Sequence, residues 1–595
     1  MRIIGKIISS AVIAIFCFLV YFWAQPALNL LCLDGILYIS FCIICLAGII
    51  AIFVSEDVDD FISSKKNLIL ITPIAICVIY LLVASIASAT IFNSSMMANQ
   101  LGEITEKEFT KDVVEIDNSQ IPIVDIALAD KLADKKLGED PGLGSQTKVG
   151  EFTNKQSVNG ELVYVAPLEH TGYFKWCENK EGTPGYVIVS ATNLNNVRLV
   201  REVDGNPLKL KYLTSSYFET NLKRHIRDAG FRCMCIDDTF TFELDDDYNP
   251  YWIVTTYENK TLVGSPEATG IIVCDAQSGE CNWYSIDEAP EWVDIIQPED
   301  FIKEQITNWG SLKDGFWNFS DDGKLKLTDG EDIITVYNND DCYYYTGLTS
   351  YGSDNGTVGF LMINSRTKQV TRYSMAGATQ EAAQSSAEGK VQNMRYTSSK
   401  AIPLNISSIP TYFMTLKDDE GLVKQYAFVN IEDYSIVGVG NSISDAKRNY
   451  ISEITSVGNK SAISSEAYLY DLTGKVTRIS SNVENGDTYY YLVIDGDNSK
   501  LFMASYDVSE ELPITREGDK VSVSYIDDSN GVIDISKFDN LEFTQKISDD
   551  QIKKDGLNDS NPTNDITKVD PKKNEDTWEK LTDEEKAKLL KNIEE

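Results

Sequence analysis

Three long apolar runs occupy residues 3–23, 36–54 and 68–92, and beyond them the chain shifts to short alternating and helix-spaced stretches. Each run is close to or above the ~20 residues an α-helix needs to cross ~30 Å of hydrocarbon, which predicts three membrane spans. Lys6 and Asp34 sit near run ends, Pro73 lies within the third, and Tyr21, Trp23, Tyr38 and Tyr80 supply interfacial aromatic character. The connector 24–34 carries no cation, whereas 55–67 ends in Lys65 and Lys66. Cations collect on the cytoplasmic side, so Arg2, Lys6, Lys65 and Lys66 are expected inside and the chain after the third run outside. A competing reading takes 1–23 as a cleaved secretory signal before the small residues Ala24 and Ala27. Both place the C-terminal bulk outside the plasma membrane.

After 1–92, residues 93–155 read as a juxtamembrane stalk with a short structured piece. In it, Ile126, Leu128, Leu132 and Leu137 have helical spacing ahead of a Gly/Pro/Asp-rich loop at 138–145. Residues 156–212 alternate apolar and polar positions and predict a first β-rich domain. Over 213–455 a divergent repeat emerges. "IIVCDAQSGECNWYSI" (271–286), "FLMINSRTKQVTRYSM" (360–375) and "FVNIEDYSIVGV" (428–439) share one hydrophobic phase: an apolar strand, a polar turn and a returning strand. Before each stands another strand, "PYWIVTTYE" (250–258), "CYYYTGLTS" (342–350) or "PTYFMTLKD" (410–418). Before those stand helix-like stretches at 215–229, 298–309 and 378–394. In the last, Ala383, Ala387, Val391 and Met394 line one face.

The order helix, strand, hairpin with the turn "CDAQSGE" (274–280) resembles the PepSY family of small α+β modules. Lys368 and Tyr434 stand where that turn has glycine in the other two copies. The resemblance implies tandem binding or inhibitory modules without an active site of their own.

A helix at 442–454 leads on to 464–545, where five strand-like stretches (474–480, 488–495, 500–506, 520–527 and 531–538) resemble an OB-type barrel. A plain meander or an SH3-like barrel competes. Residues 546–595 read as a disordered acidic linker closed by a short helix at 577–593. The fold class is therefore a membrane-anchored α+β protein: a three-helix transmembrane bundle, repeated helix-plus-antiparallel-sheet modules and a small C-terminal β-barrel.

Acids outnumber bases 90 to 53, for a net charge of −37, and the bases form no stripe. Such a chain repels phosphate backbones, which excludes nucleic acid as a partner class. An acidic surface suits solubility, cations or a basic protein partner. The partners expected are the lipid bilayer and one or more envelope proteins, with a homo-oligomer left open.

Histidine occurs twice, so catalysis through imidazole must use His170 or His225. His170 stands in what reads as a turn, seven residues before Cys177. His225 stands beside Lys223, Arg224 and Arg227, a basic cluster that reads either as a lipid or anionic-polymer contact or as a solvated helix face. Of 11 cysteines, Cys17, Cys32, Cys42, Cys45 and Cys77 lie in or beside the apolar runs and read as small apolar residues. Cys233 and Cys235 have CxC spacing, a poor match to the CxxC pairs of structural zinc sites. Cys274 and Cys281 flank the first hairpin turn and should point the same way, as a cross-strand disulfide or as two buried thiols. Calcium is the one cofactor to test, at 245–247, 320–332 and 495–500, though the last lacks an EF-hand's glycine and bidentate glutamate. No catalytic, cofactor-binding or metal residue is singled out. Tyr343, Tyr344, Tyr345 and Tyr351 form a candidate interaction surface, since exposed tyrosines anchor interfaces. Three function classes remain: a non-catalytic scaffold or binding protein, an envelope hydrolase working through carboxylates, and a transmembrane sensor.

Overall fold

The computed structural model describes residues 2–54, 67–114, 120–150, 153–328, 333–338, 341–351, 356–406, 408–456, 469–484, 487–495, 500–526 and 532–543. The Lys65/Lys66 loop, the tail beyond 543 with its terminal helix, and parts of the acidic stretches 320–332 and 495–500 lie outside the described residues. Helices Arg2–Ala24, Leu33–Val54 and Leu68–Ala87 are long and apolar enough to cross a membrane. The third stops earlier than its apolar run. Asn93 Nδ2 donates to Ala87 O and Ala89 O (2.7 and 3.0 Å), and a new helix, Thr90–Asn99, begins at that break.

Past the membrane helices the same unit recurs four times, over residues 121–200, 208–285, 293–373 and 376–440. Each is an antiparallel sheet with a helix before it: Ile126–Gly138, Leu222–Ile226, Glu299–Ser311 or Gln380–Lys390. One hydrogen-bond stitch identifies the copies. The residue after each hairpin strand donates to the start of the preceding strand: Ala191 to Leu162 O, Ala276 to Pro250 O, Ser365 to Cys342 O and Ile431 to Pro410 O. Its carbonyl then accepts from the segment that enters the helix, namely Ile123 and Val124, Lys211 and Tyr212, Ile296 and Gln297, or Ala378. The three predicted hairpins are copies two to four. The first copy, anticipated only as a β-rich domain, carries the same stitches.

The turns explain the missing glycines. Gly279 has φ +79°, and Lys368 adopts φ +61° at the equivalent position, so a left-handed residue closes both five-step turns. Asp275 Oδ1 and Asn364 Oδ1 each accept backbone N–H groups inside their turns, which offsets the strain at Lys368. The fourth turn runs from Asn430 to Ile436, one step longer, and so has no need of glycine at Tyr434.

The repeats close on one another in a cycle. Val163, Val165 and Ile188 of the first sheet pack against Phe242, Trp252 and Ile272 of the second. Tyr345, Phe360 and Met362 of the third share a core with Tyr412, Met414 and Ala427 of the fourth, with the small residues Ala383 and Ala387 on the helix nearby. Leu128, Ala129 and Ala133 of the first helix join Phe413 and Phe428 of the fourth sheet. Strand Tyr186–Ser190, between two such cores, is buried along its whole length.

Several expectations are corrected. The segment 93–155 is no free stalk: Ile104–Lys107 pairs in parallel with Val370–Tyr373, Phe109 enters a core, and Ile126–Gly138 is the first repeat's helix. The helix expected at 215–229 starts late, at Leu222, because Phe218 turns the chain at φ +53° and Asn221 caps the new start, and it runs on past Ile226 as a π-helical stretch, Arg227–Phe231. Met394, past the end of Gln380–Lys390, is exposed.

Helix Ile443–Ser456 leaves the fourth sheet at close range, against the glycines of strand Val437–Gly440. It leads to a closed barrel of Leu469–Glu484, Asp487–Ile494, Leu501–Ser505, Lys520–Ile526 and Val532–Asn540. Its strand order is first, second, third, fifth, fourth, with the third and fifth parallel. Tyr489 OH donates to Asp445 Oδ1 (3.0 Å) on the helix, and Arg448 lies 5.3 Å from the Tyr489 ring centre.

Candidate functional site

A cavity of about 460 Å³ opens where the four repeats meet. Each repeat contributes an edge strand to it or beside it: Asn154–Val158, Cys235–Leu244, Ile334–Asn338 and Ile402–Ile406. Edge strands carry main-chain donors and acceptors on one side without a ladder partner. Here some are bridged across repeats. Gln156 Nε2 donates to Phe242 O (3.3 Å) and its Oε1 accepts from Leu244 N (2.8 Å). Lys155 Nζ donates to Thr335 O (2.6 Å), and Tyr337 OH donates to Lys155 O (2.7 Å). The stretch Asp237–Thr241 lines the cavity, with the apolar side chains of Ile126, Ile295, Ile334 and Ile402 around it.

The electrostatics are mixed. Asp125 caps helix Ile126–Gly138 by accepting from Leu128 N (3.0 Å) and pairs with Lys417 of the fourth sheet. Burial pushes the Asp237 carboxyl above its ordinary range. The Lys155 ammonium is enclosed, and burial pulls it down to about 8.

Beneath the cavity wall lies a carboxylate pair at the seam of the first three repeats. Asp294 Oδ2 accepts from Ser157 N (2.8 Å) and Tyr337 OH (3.0 Å), and Asp294 N donates to Glu243 Oε2 (2.8 Å). Burial raises Asp294 to about 6 and pushes Glu243 well above the carboxylate range, with the neighbouring Asp294 charge adding to the rise at Glu243. Arg366 is the nearby cation, yet its guanidinium donates to Pro290 O (2.8 Å), Ala289 O (3.3 Å) and Val293 O. Glu243 Oε1 has no hydrogen-bond partner among the described residues.

The residues singled out from sequence scatter. Tyr344 and Tyr345 are core, with Tyr344 OH donating to Gln297 O (2.8 Å) and Tyr345 OH 3.2 Å from Tyr412 OH. The alternation of their strand sends both faces into packed layers. Tyr343 is half-buried and Tyr351 exposed, so an interaction surface there has only these two. Cys274 and Cys281 are cross-strand partners with Cα atoms 4.1 Å apart and sulfurs in bonding contact. His225 stands beside them, its Nε2 2.7 Å from Gly279 O and its ring 4.0 Å from that of Tyr212. His170 is buried at the end of strand Glu161–His170 instead of on a surface turn, and burial lowers it to about 4. Neither histidine is among the described residues that line the cavity.

The basic cluster is neither solvated nor free. Arg224 Nη2 donates to Phe22 O (2.5 Å) and Arg227 Nε to Gln25 O (3.3 Å), so two guanidiniums meet the terminal carbonyls of the first membrane helix. A helix C-terminus presents such orphan acceptors and a partial negative charge. Arg227 also donates to Phe231 O and Met234 O (3.0 and 2.6 Å). Lys223 pairs with Asp238 (2.8 Å). Cys32, expected as a small apolar residue, is disulfide-bonded to Cys235, because the loop after the first helix folds onto the second repeat. Cys233 stays free and exposed. The buried acids were missed from sequence. Their signal was an acid inside an apolar run, as in "WVDII" around Asp294.

No family model and no curated protein matches this chain. Among solved structures, it is similar to the Bacillus megaterium YpeB C-terminal domain at 11% identity, covering 44% of this chain and 100% of that one, with a TM-score of 0.11, too low to assign a shared fold.

Proposed function

We propose that this chain is a non-catalytic binding protein of a bacterial-type cell envelope, anchored by its three helices, with the large α+β part outside the cell, where it engages a protein partner through the central cavity. The observation that carries the reading is the convergence of edge strands from the repeats on one cavity, which suits capture of an extended segment of a partner by main-chain pairing. The Cys32–Cys235 bridge supports an oxidising compartment for the loop and the bulk alike. Kinship of the four units with PepSY modules, and of the barrel with OB-type barrels by strand order, fits a protein that binds rather than reacts.

The test is a photoreactive residue placed at Thr239 or at Ile402 in the full chain in its native envelope. The expected result is adducts to one and the same protein from both positions, abolished by Thr241→Arg while the Cys32–Cys235 bridge still forms. Adducts to a polymer or small molecule only, or adducts unaffected by Thr241→Arg, overturn the reading. A hydrolase is the second reading, favoured by Asp237, with its raised carboxyl, and Glu299 both lining the same cavity. It requires that Asp237→Asn abolish a hydrolytic activity of the intact protein.

A further inference from the structure

The first and second repeats together meet the first membrane helix through an aromatic group that faces outward. Helix Tyr173–Glu178 presents Tyr173 and Phe174, and the bend before Leu222 presents Tyr217 and Phe218. Their rings form one cluster with Trp176: Tyr173 lies 5.2 Å from Tyr217, and Trp176 lies 5.6 Å from Phe218. Phe174 is 80% exposed, while Tyr173 and Phe218 are 42% exposed each. The cluster is continuous with the membrane anchor, since Phe218 lies 6.2 Å from Phe22 in the last turns of the first helix. Trp23, next along that helix, is 72% exposed. Arg224 holds the junction, its guanidinium 3.6 Å from the Phe22 ring centre while it donates to Phe22 O.

Two backbone features aim the cluster. Gly172 has φ +134° ahead of the short helix, and Phe218 takes φ +53°, a left-handed conformation that a bulky side chain rarely adopts. Such strain persists where surrounding structure imposes it, here the bond from Trp176 Nε1 to Thr220 Oγ1 (2.9 Å) and the ring stack itself. Lysines border the rings: Lys180 Nζ lies 5.6 Å from the Trp176 ring, and Lys175 is at the helix end. Exposed aromatics with a lysine border at the end of a spanning helix match the chemistry of the headgroup region, where amphipathic rings settle and lysine stems reach outward to phosphate.

We infer that the Tyr173/Phe174/Phe218 cluster rests in the headgroup region of the leaflet that the first helix leaves, so that the extramembrane part is docked on the bilayer and held in one orientation. The partner is the phospholipid interface itself. This inference is independent of the central cavity.

The test uses the full chain in vesicles of phosphatidylcholine and phosphatidylglycerol with brominated acyl chains. Phe174→Trp adds one emitter at the cluster, and Tyr434→Trp, on the exposed fourth turn, adds one for comparison. The expected result is that the emission added at 174 is blue-shifted, lost in brominated lipid and insensitive to iodide, while that added at 434 behaves oppositely. Emission at 174 that iodide quenches and brominated lipid does not would place the cluster in water and overturn the inference. Emission that neither agent touches would place it against protein and overturn it equally.

Discussion

Cys32 and Cys235 are bonded across 203 residues of chain, with Cα atoms 5.8 Å apart, and so tie the loop between two membrane helices to an edge strand of the second repeat. Asn29 Nδ2 to Cys233 O (3.0 Å), Leu28 N to Arg232 O (2.8 Å) and Asn259 Nδ2 to Leu31 O (2.8 Å) reinforce the same seam. Closing so long a loop contributes about 5 kcal/mol in the chain-entropy picture, less here because membrane insertion already restrains the ends. Cys32→Ser or Cys235→Ser is expected to lower the thermal midpoint of the intact protein in detergent and to abolish the mobility difference between reduced and unreduced samples on denaturing gels. An unchanged mobility difference in either variant would show the bond to be elsewhere.

Arg227 sits at the centre of that seam, buried, with three carbonyl partners from two segments. Arg227→Met keeps the stem and removes every donor. Orphaning those carbonyls costs roughly 3 kcal/mol, the range for a buried charged group whose partners are left behind. The expected outcome is a lower midpoint together with poorer formation of the Cys32–Cys235 bond, read by thiol alkylation.

The hairpin cysteines call for a separate measurement. Cys274 and Cys281 are proposed to form a disulfide, with His225 as a neighbour and not a ligand. Mass spectrometry of unreduced protein is expected to find the 274–281 pair lighter by two hydrogens, and His225→Gln is expected to leave that mass unchanged. Zinc that copurifies with the chain and is lost in His225→Gln would replace the disulfide with a metal site.

Asp294 gives a pH signature. Its folded carboxyl titrates at about 6, above an unfolded value of roughly 4, so the folded state holds the extra proton between them. Stability from this group is therefore full below the unfolded value and is lost as pH rises through about 6. Glu243, Tyr337, Asp341, Cys342, Lys155 and Arg366 face the same seam. His170, lowered to about 4, contributes the opposite slope over an overlapping range. The informative quantity is thus the difference between wild type and Asp294→Asn, whose amide oxygen still accepts from Ser157 N and Tyr337 OH. Wild type is expected to lose a few kcal/mol more than the variant between about pH 4 and pH 6.5, by denaturant melts. Parallel profiles would contradict the assignment.

Helix Ile443–Ser456 packs so near strand Val437–Gly440 that a Cβ at Gly438 would strike Tyr450 N and Ala446 O. Gly438→Ala is expected to cost about 3 kcal/mol through forced separation of helix and strand. Tyr450 fluorescence is masked by the tryptophans, so the check is the melting midpoint.

The hairpins at 271–286, 360–375 and 428–439 were legible because each leading strand packs both faces on cores and so reads as a short continuous apolar run that ends in a polar turn. The copy with its turn at Ser190–Asn196 was not, since Ser190 leads that turn where Asp275, Asn364 and Asn430 lead the other three. The barrel was legible strand by strand because its strands pack one face inward and so alternate, as at Val521, Val523 and Tyr525. The cavity was hidden because its lining comes from separate short stretches, none distinctive alone, and only the packing of four units brings them together. Cys32 was hidden because its spacing to Cys235 has no local signature. Tyr344 and Tyr345 misled because tyrosine is amphipathic, and nothing in "CYYYTG" tells a doubly covered strand from an exposed one.

The parallel pairing of Ile104–Lys107 with Val370–Tyr373 bears on how the molecule is made. Residues that emerge from the membrane first must wait for a partner synthesised more than 260 positions later, and Asn405 then clasps Thr110 O and Val113 O (3.0 and 2.8 Å). Until those late strands arrive, an unsatisfied edge stands open beside the lipid. Assembly of this protein is therefore completed from its far end, and a nascent chain halted midway would expose an adhesive seam that a waiting chaperone, or a second copy, is placed to cover.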